Sequence, residues 1–260
     1  MPSLVRVHAS SISAAVPPLP AGSRGQVHSV FARALNVSLG SALVAIVAED
    51  AGRLPNGVSV RAAPDFRGLG IVPGDGVVLC VDVAGATIWD PTLPLDHVPI
   101  PRERVRHLAG LLPAGGLGTE AEDPWQAWPS IRVLRRGLAA HDLDRSLVAA
   151  AELVGRGPGL TPAGDDLLVG CSAALRVAGH PLGAAFAAGV AAAVPGRTTD
   201  VAAAFHACAA RGAYAEHLHD VVLAVDDDAL AGAVERALAW GATSGADAML
   251  GVVIGLEAAA

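Results

Sequence analysis

The chain contains no lysine; all 18 of its basic residues are arginine. Schiff-base lysine chemistry and a phosphate-loop lysine are therefore excluded, because both need the ammonium group. Cysteine is scarce as well. Cys80, Cys171 and Cys208 stand far apart with no Cys-x-x-Cys pair. That argues against a zinc knuckle or redox dithiol and fits a reducing compartment. Long apolar runs are missing: the most apolar stretch, 182–194, is 13 residues between Pro181 and Pro195, short of the roughly 20 that span a bilayer. The N-terminal 20 residues are interrupted by proline and lack a sustained apolar core, so no signal peptide is expected. Basic excess is lacking too. Against 18 basic residues stand 25 acidic ones, for a net charge of −7, the wrong sign for a phosphate-neutralising surface. The expectation is a soluble, cytoplasmic protein that binds neither nucleic acid nor membrane.

At 260 residues the chain accommodates one large domain or two small ones, with enough length to bury a core without disulfides. Valine- and isoleucine-rich segments at 4–9, 42–48, 58–62, 77–83 and 87–89 predict strands, separated by turns such as Pro55-Asn56-Gly57 and Pro73-Gly74-Asp75-Gly76. Segment 27–35 reads equally as a strand or a short helix. From Pro101 the text turns helical. Helices are expected at 101–112, 129–140, 146–155, 162–178, 182–194, 199–211, 215–224, 229–240 and 244–257. Cys171 and Cys208 fall in this apolar helical text and read as small core residues. The fold class is α+β: a β-rich N-terminal unit, a small barrel or curled sheet, followed by a helical bundle. The glycine-rich, acidic loop 113–123 marks the boundary, giving domains 1–115 and 116–260. Trp125 and Trp128 flank it and read as packing anchors.

One segment concentrates chemistry: Gly155-Arg156-Gly157-Pro158-Gly159-Leu160-Thr161-Pro162-Ala163-Gly164-Asp165-Asp166. Thr161 followed by Pro162 predicts a helix start, with Thr161 as N-cap and Pro162 at the first helical position. Gly164 then occupies the third position, where a capping box would place Glu. With no side chain over that end, its N–H groups and the dipole can receive an anion, and Arg156 can clamp a carboxylate or phosphate. The simpler alternative is a capped helix after a glycine turn.

A second segment echoes the first. Gly164-Asp165-Asp166-Leu167-Leu168-Val169-Gly170 aligns with Gly245-Ala246-Asp247-Ala248-Met249-Leu250-Gly251, and Thr243-Ser244 precedes the latter as Thr161 precedes the former. Asp166 and Gly170 share a helical face, as do Asp247 and Gly251. The hypothesis is that these helices pack together, or on a shared neighbour, with both N-termini opening on one pocket. Two unrelated helix starts whose acids complement their dipoles would look the same. Carboxylates beside an anion cradle make sense if the ligand also presents N–H donors, or if a divalent metal bridges them to phosphate.

Other polar residues carry competing readings. Arg197-Thr198-Thr199 either caps the helix that follows or adds a third N–H cluster with Arg197 as an anion clamp. His206 on that helix reads first as a satisfied core or surface histidine, and second as facing the site. His217 and His219 do not share a helical face and default to the surface. Asp226-Asp227-Asp228 starts a helix. His28-Ser29 has the residue types of a base and a nucleophile, but neighbours in sequence rarely reach the geometry.

The run GPGLTPAGDDLLVG, with Arg197-Thr198-Thr199 and 241–247, resembles the AllH family of oxamate carbamoyltransferase subunits. The segment Gly25-Gln26-Val27-His28-Ser29-Val30-Phe31 with Asn36 resembles that family's opening motif. Ala163 stands where many relatives carry serine, so a hydroxyl role there is lost. The resemblance implies a multi-subunit enzyme of allantoin (purine) breakdown, working with AllF- and AllG-type subunits. It would exchange a carbamoyl group between oxalurate and phosphate, giving oxamate and carbamoyl phosphate.

The expectation is therefore a site for a small anionic, amide-bearing metabolite. Asp165, Asp166 and Asp247 are its candidate catalytic residues. Arg156, Gly157, Gly159, Leu160, Thr161, Gly164, Arg197, Thr198, Thr199, Thr243, Ser244 and Gly245 are its candidate binding residues. No cofactor is expected, with a divalent metal left open. A non-catalytic anion-binding or scaffolding subunit and an Asp-based metal-dependent hydrolase are the alternatives.

Overall fold

A computed structural model describes residues 2–62, 65–95, 101–113, 128–224 and 226–260. It divides into two compact units, Met1–Pro91 and Thr92–Ala260. The loop expected to separate the domains, and Trp125, lie outside the described residues apart from Pro113.

The first unit is a closed six-stranded barrel. Its strands are β1 (Ser3–Ser13), β2 (Ser23–Val30), β3 (Ala34–Leu39), β4 (Ala42–Ala48), β5 (Gly57–Val60) and β6 (Gly76–Asp82). The hydrogen-bonded order β5-β4-β3-β2-β6-β1 closes through β1–β5, and β7 (Thr87–Trp89) runs parallel to the far end of β1. Alternation explains the inward faces: Val5, Val7 and Ala9 are buried while Leu4, Arg6 and His8 are exposed. Leu35, Val37, Val44 and Ile46 fill the interior from β3 and β4. The ambiguous segment 27–35 resolves into the end of β2, a tight turn and the start of β3. The Phe31 N–H donates to the Ala34 carbonyl at 2.8 Å. β2 is interrupted between Val27 and Ser29 by a shift of register against β3. Such a bulge bends a strand and re-aims its side chains.

The second unit is helical: α1 (Arg102–Leu111), α2 (Pro129–Ala139), α3 (Leu143–Leu153), α4 (Ala163–Val177), α5 (Gly183–Ala193), α6 (Asp200–Ala209), α7 (Glu216–Val222), α8 (Asp227–Leu238) and α9 (Ser244–Ala259). Asp226 starts α8 as expected, its carboxylate accepting the Ala229 N–H at 2.8 Å. Cys171 and Cys208 are buried core residues. Helices α4 and α9 are apolar almost all round and form the centre, as helices buried on every face must be.

Glycine sets how closely these two helices approach. A Cβ on Gly170 would sit 2.0 Å from the Ala248 carbonyl oxygen, and one on Gly251 would sit 1.9 Å from that of Leu167. Leu167 and Ala248 each follow the aspartate of their own segment, so the contact is reciprocal. The two echoed sequences therefore lie side by side and parallel, with their N-termini at the same end. No described helix is long and apolar enough to cross a membrane.

Candidate functional site

Three segments meet at the common N-terminal end of α4 and α9. Residues 155–166 supply the glycine turn and the first turn of α4, 197–199 lead into α6, and 243–247 open α9. The Thr161 and Ser244 hydroxyls lie 2.9 Å apart. Thr199 caps α6 by accepting the Ala202 N–H at 3.1 Å, and its hydroxyl donates to the Leu160 carbonyl. Thr198 donates to Asp165 Oδ2 at 2.7 Å.

The two adjacent aspartates of α4 have different surroundings. Asp165 is fully committed to the protein. Its Oδ2 accepts the Thr198 hydroxyl and the Gly155 N–H at 2.9 Å, and its Oδ1 lies 2.8 Å from His206 Nε2. Both side chains of the Asp165–His206 pair are 2% exposed. His206 is thus a satisfied core histidine that ties α6 to α4. Gly155 adopts φ +74°, and a Cβ there would meet the Arg197 carbonyl oxygen at 1.9 Å. Only glycine permits this junction.

Asp166 is also buried, at 6% exposure, but its Oδ2 has no hydrogen-bond partner among the described residues. Burial pushes its pKa up to about 8; the Ser244 and Thr161 hydroxyls pull it down, and the charges of Asp247 and Asp165 push it further up. At neutral pH the Asp166 carboxyl is therefore largely protonated and able to donate. Asp247, fully buried in the first turn of α9, is the matching carboxyl. The site thus joins two carboxyls and two hydroxyls, one pair from each helix start.

The helix start departs from the sequence expectation. Pro162, rather than Thr161, is the N-cap residue of α4, and no side chain caps it. Thr161 is drawn away because its hydroxyl pairs with Ser244. Nor are the helix amides bare: the Gly164 N–H donates to the Arg156 carbonyl at 2.9 Å, so backbone from the preceding turn covers that end. Gly245 repeats the arrangement, donating to the Trp240 carbonyl at 3.0 Å. Gly157 and Gly159 shape the exposed turn with left-handed backbone, at φ +111° and +96°. Thr243 is the N-cap residue of α9, again without a side-chain bond. The arginines have protein partners. The Arg156 guanidinium lies 5.3 Å from the centre of the Trp128 ring, a cation–π contact, and Arg197 donates to the Ala151 carbonyl.

An aromatic group beside the turn into α9 escaped the sequence reading. His217 stacks on Trp240 at 4.4 Å, and Phe205 meets Trp240 edge-on at 6.2 Å. His217 is half-buried against Trp240 rather than free on the surface. Burial, and secondarily His219, pushes its pKa down to about 4, so it is neutral at pH 7. The only sequence signal was Trp240 itself, just ahead of the second motif. Among the described residues, no group of three or more His, Cys, Asp or Glu side chains is placed to hold a metal ion.

Comparison with known families gives two matches. The model described as oxamate carbamoyltransferase subunit AllH matches residues 153–256, which contain all three converging segments. The model for the AllH family N-terminal domain matches residues 8–88, the barrel. No curated protein and no solved structure matches.

Proposed function

The chain belongs to the AllH family, and from that premise we propose that it is a subunit of a carbamoyltransferase acting on a small ureido or carboxylate metabolite. The reaction we assign is oxalurate plus phosphate giving oxamate plus carbamoyl phosphate, or a close relative of it, carried out with AllF- and AllG-type partner subunits in purine catabolism.

One observation carries this reading: the buried Asp166 carboxyl, raised to a pKa of about 8 and with one oxygen unpartnered among the described residues, beside Asp247. A primary amide or ureide presents a carbonyl acceptor and N–H donors side by side. A protonated carboxyl donates to the first, and a carboxyl oxygen accepts from the second. Asp166 and Asp247 thereby orient the amide nitrogen, and the Thr161 and Ser244 hydroxyls complete the cradle. The nitrogen of oxamate forms a bond to the carbamoyl carbon and gives up a proton as phosphate leaves; the reverse direction breaks that bond. Positioning in a buried site supplies much of the rate. Asp165 serves as a positioning residue, since its oxygens already hold Gly155, Thr198 and His206. Arg156 and Arg197, both exposed, are assigned to the carboxylate or phosphate of the ligand, for which they would give up their contacts with Trp128 and the Ala151 carbonyl.

A second reading is favoured by the Gly164 N–H, which is spent on the Arg156 carbonyl and so is not an oxyanion donor. In it the chain binds and orients the metabolite while a partner subunit supplies the transfer chemistry. The test is carbamoyl transfer between carbamoyl phosphate and oxamate, measured with the chain alone and with both partner subunits. Activity in the assembly that falls about a hundredfold or more in Asp166→Ala supports the proposal. Activity unchanged by that substitution contradicts it. Activity only with partners, with metabolite binding retained by the chain alone, selects the second reading.

A further inference from the structure

The barrel carries a polar constellation of its own. His28 Nδ1 lies 3.1 Å from Ser29 Oγ, and the Asn36 side-chain amide donates to the same oxygen at 2.9 Å. Neighbouring residues on a regular strand point to opposite faces, which would keep the imidazole from the hydroxyl. Here the register of β2 against β3 shifts between Val27 and Ser29. This bulge falls on His28 and turns its ring back toward the hydroxyl of the next residue. Opposite Ser29 in the ladder stands Asn36.

The hydrogen bonding has a direction. The Asn36 contact is made by the side-chain nitrogen, which only donates, so it occupies a lone pair of Ser29 Oγ and leaves the hydroxyl hydrogen for another acceptor. With its proton on Nε2, His28 presents Nδ1 as that acceptor. Ser29 and Asn36 are 9% and 7% exposed, and His28 is half-buried. A hydroxyl aimed at an imidazole nitrogen, in a largely desolvated place, is the arrangement that activates a serine.

We propose that Ser29 is a nucleophilic serine, with His28 as its general base and Asn36 orienting the hydroxyl, and that it takes an acyl-type group from an activated carbonyl donor. Ser29 Oγ bonds to the carbonyl carbon as its proton passes to His28 Nδ1. The bond from carbon to the leaving group then breaks, and the leaving group departs with the electron pair and receives the proton from Nδ1. The resulting ester is discharged to water by the same steps with water as nucleophile. This goes beyond the proposed carbamoyl transfer at Asp166 and does not depend on it.

The test uses the full chain and a fluorophosphonate, a serine-directed probe, followed by intact mass and peptide mapping. The expected result is a single adduct on the peptide containing Ser29. It is absent in Ser29→Ala and forms at least about tenfold more slowly in His28→Gln, consistent with the size of general-base effects. Asp166→Ala labels at the wild-type rate, which separates this site from the carboxyl pair. Circular dichroism melts of each variant establish that the barrel is intact. An unlabelled Ser29 in folded wild-type chain overturns the proposal, as does labelling indifferent to His28→Gln.

Discussion

Thr161 and Ser244 are 83 residues apart in sequence, yet their hydroxyls meet at 2.9 Å. The contact joins the starts of α4 and α9 and makes one site from two echoed segments. The pair is expected to couple energetically. In a double-mutant cycle of Thr161→Ala and Ser244→Ala, read by chemical denaturation, the coupling should be about 0.5–1.5 kcal/mol. Strict additivity would mean that the hydroxyls do not share a bond in solution.

Asp166 predicts a pH dependence of stability. Its folded pKa of about 8 stands above the ordinary 3.8, so the native state holds a proton that the unfolded chain has lost between those values. Stability from this group is fully present below about pH 4 and is lost as pH rises toward and through 8. The loss is expected to be on the order of a few kcal/mol. In Asp166→Asn, which cannot titrate, this component of the slope disappears. Denaturation midpoints from pH 5 to 9 read it directly; identical slopes in both proteins would contradict the assignment.

The parallel packing of α4 on α9 predicts strong steric effects. Gly170→Ala and Gly251→Ala each drive a methyl into a backbone carbonyl and should destabilise by about 1–3 kcal/mol or more. Gly232→Ala in α8 is the control. Its Cβ would meet nothing nearer than an Arg236 nitrogen at 3.5 Å, and helix propensity alone should stabilise by up to about 1 kcal/mol. Thermal melts of the three variants decide the point.

The Asp165–His206 pair predicts a different cost. Removing the imidazole in His206→Ala takes a hydrogen-bond partner from the buried Asp165 carboxyl and should destabilise by about 1–3 kcal/mol or more. A loss below about 1 kcal/mol, measured by urea unfolding, would show the pair to be hydrated in solution.

Much of this was legible in the sequence. The valine-rich stretches marked the strands, and the glycine–aspartate echo left open two helices packed together, two on a shared neighbour or two unrelated helix starts; the first is how α4 and α9 lie. What escaped depends on the third dimension. Nothing local distinguishes Asp165 from Asp166; only the return of His206 and Thr198 to one of them does. Thr161 reads as a cap because threonine before proline usually is one, and a hydroxyl 83 residues away overrides that preference. The amide end of α4 looked open because backbone cover leaves no trace in side-chain identity. The bulge at His28 is equally silent, since strand alternation assumes an unbroken ladder.

The central claim is that the two helix starts form one receptor for a small amide-bearing metabolite. The most direct measurement is a heteronuclear NMR titration of the isotope-labelled chain with oxamate. The account predicts saturable shifts concentrated at Thr161, Asp166, Ser244 and Asp247 that vanish in Asp166→Ala. Saturation with no response at these four residues, or the same response in Asp166→Ala, would contradict it.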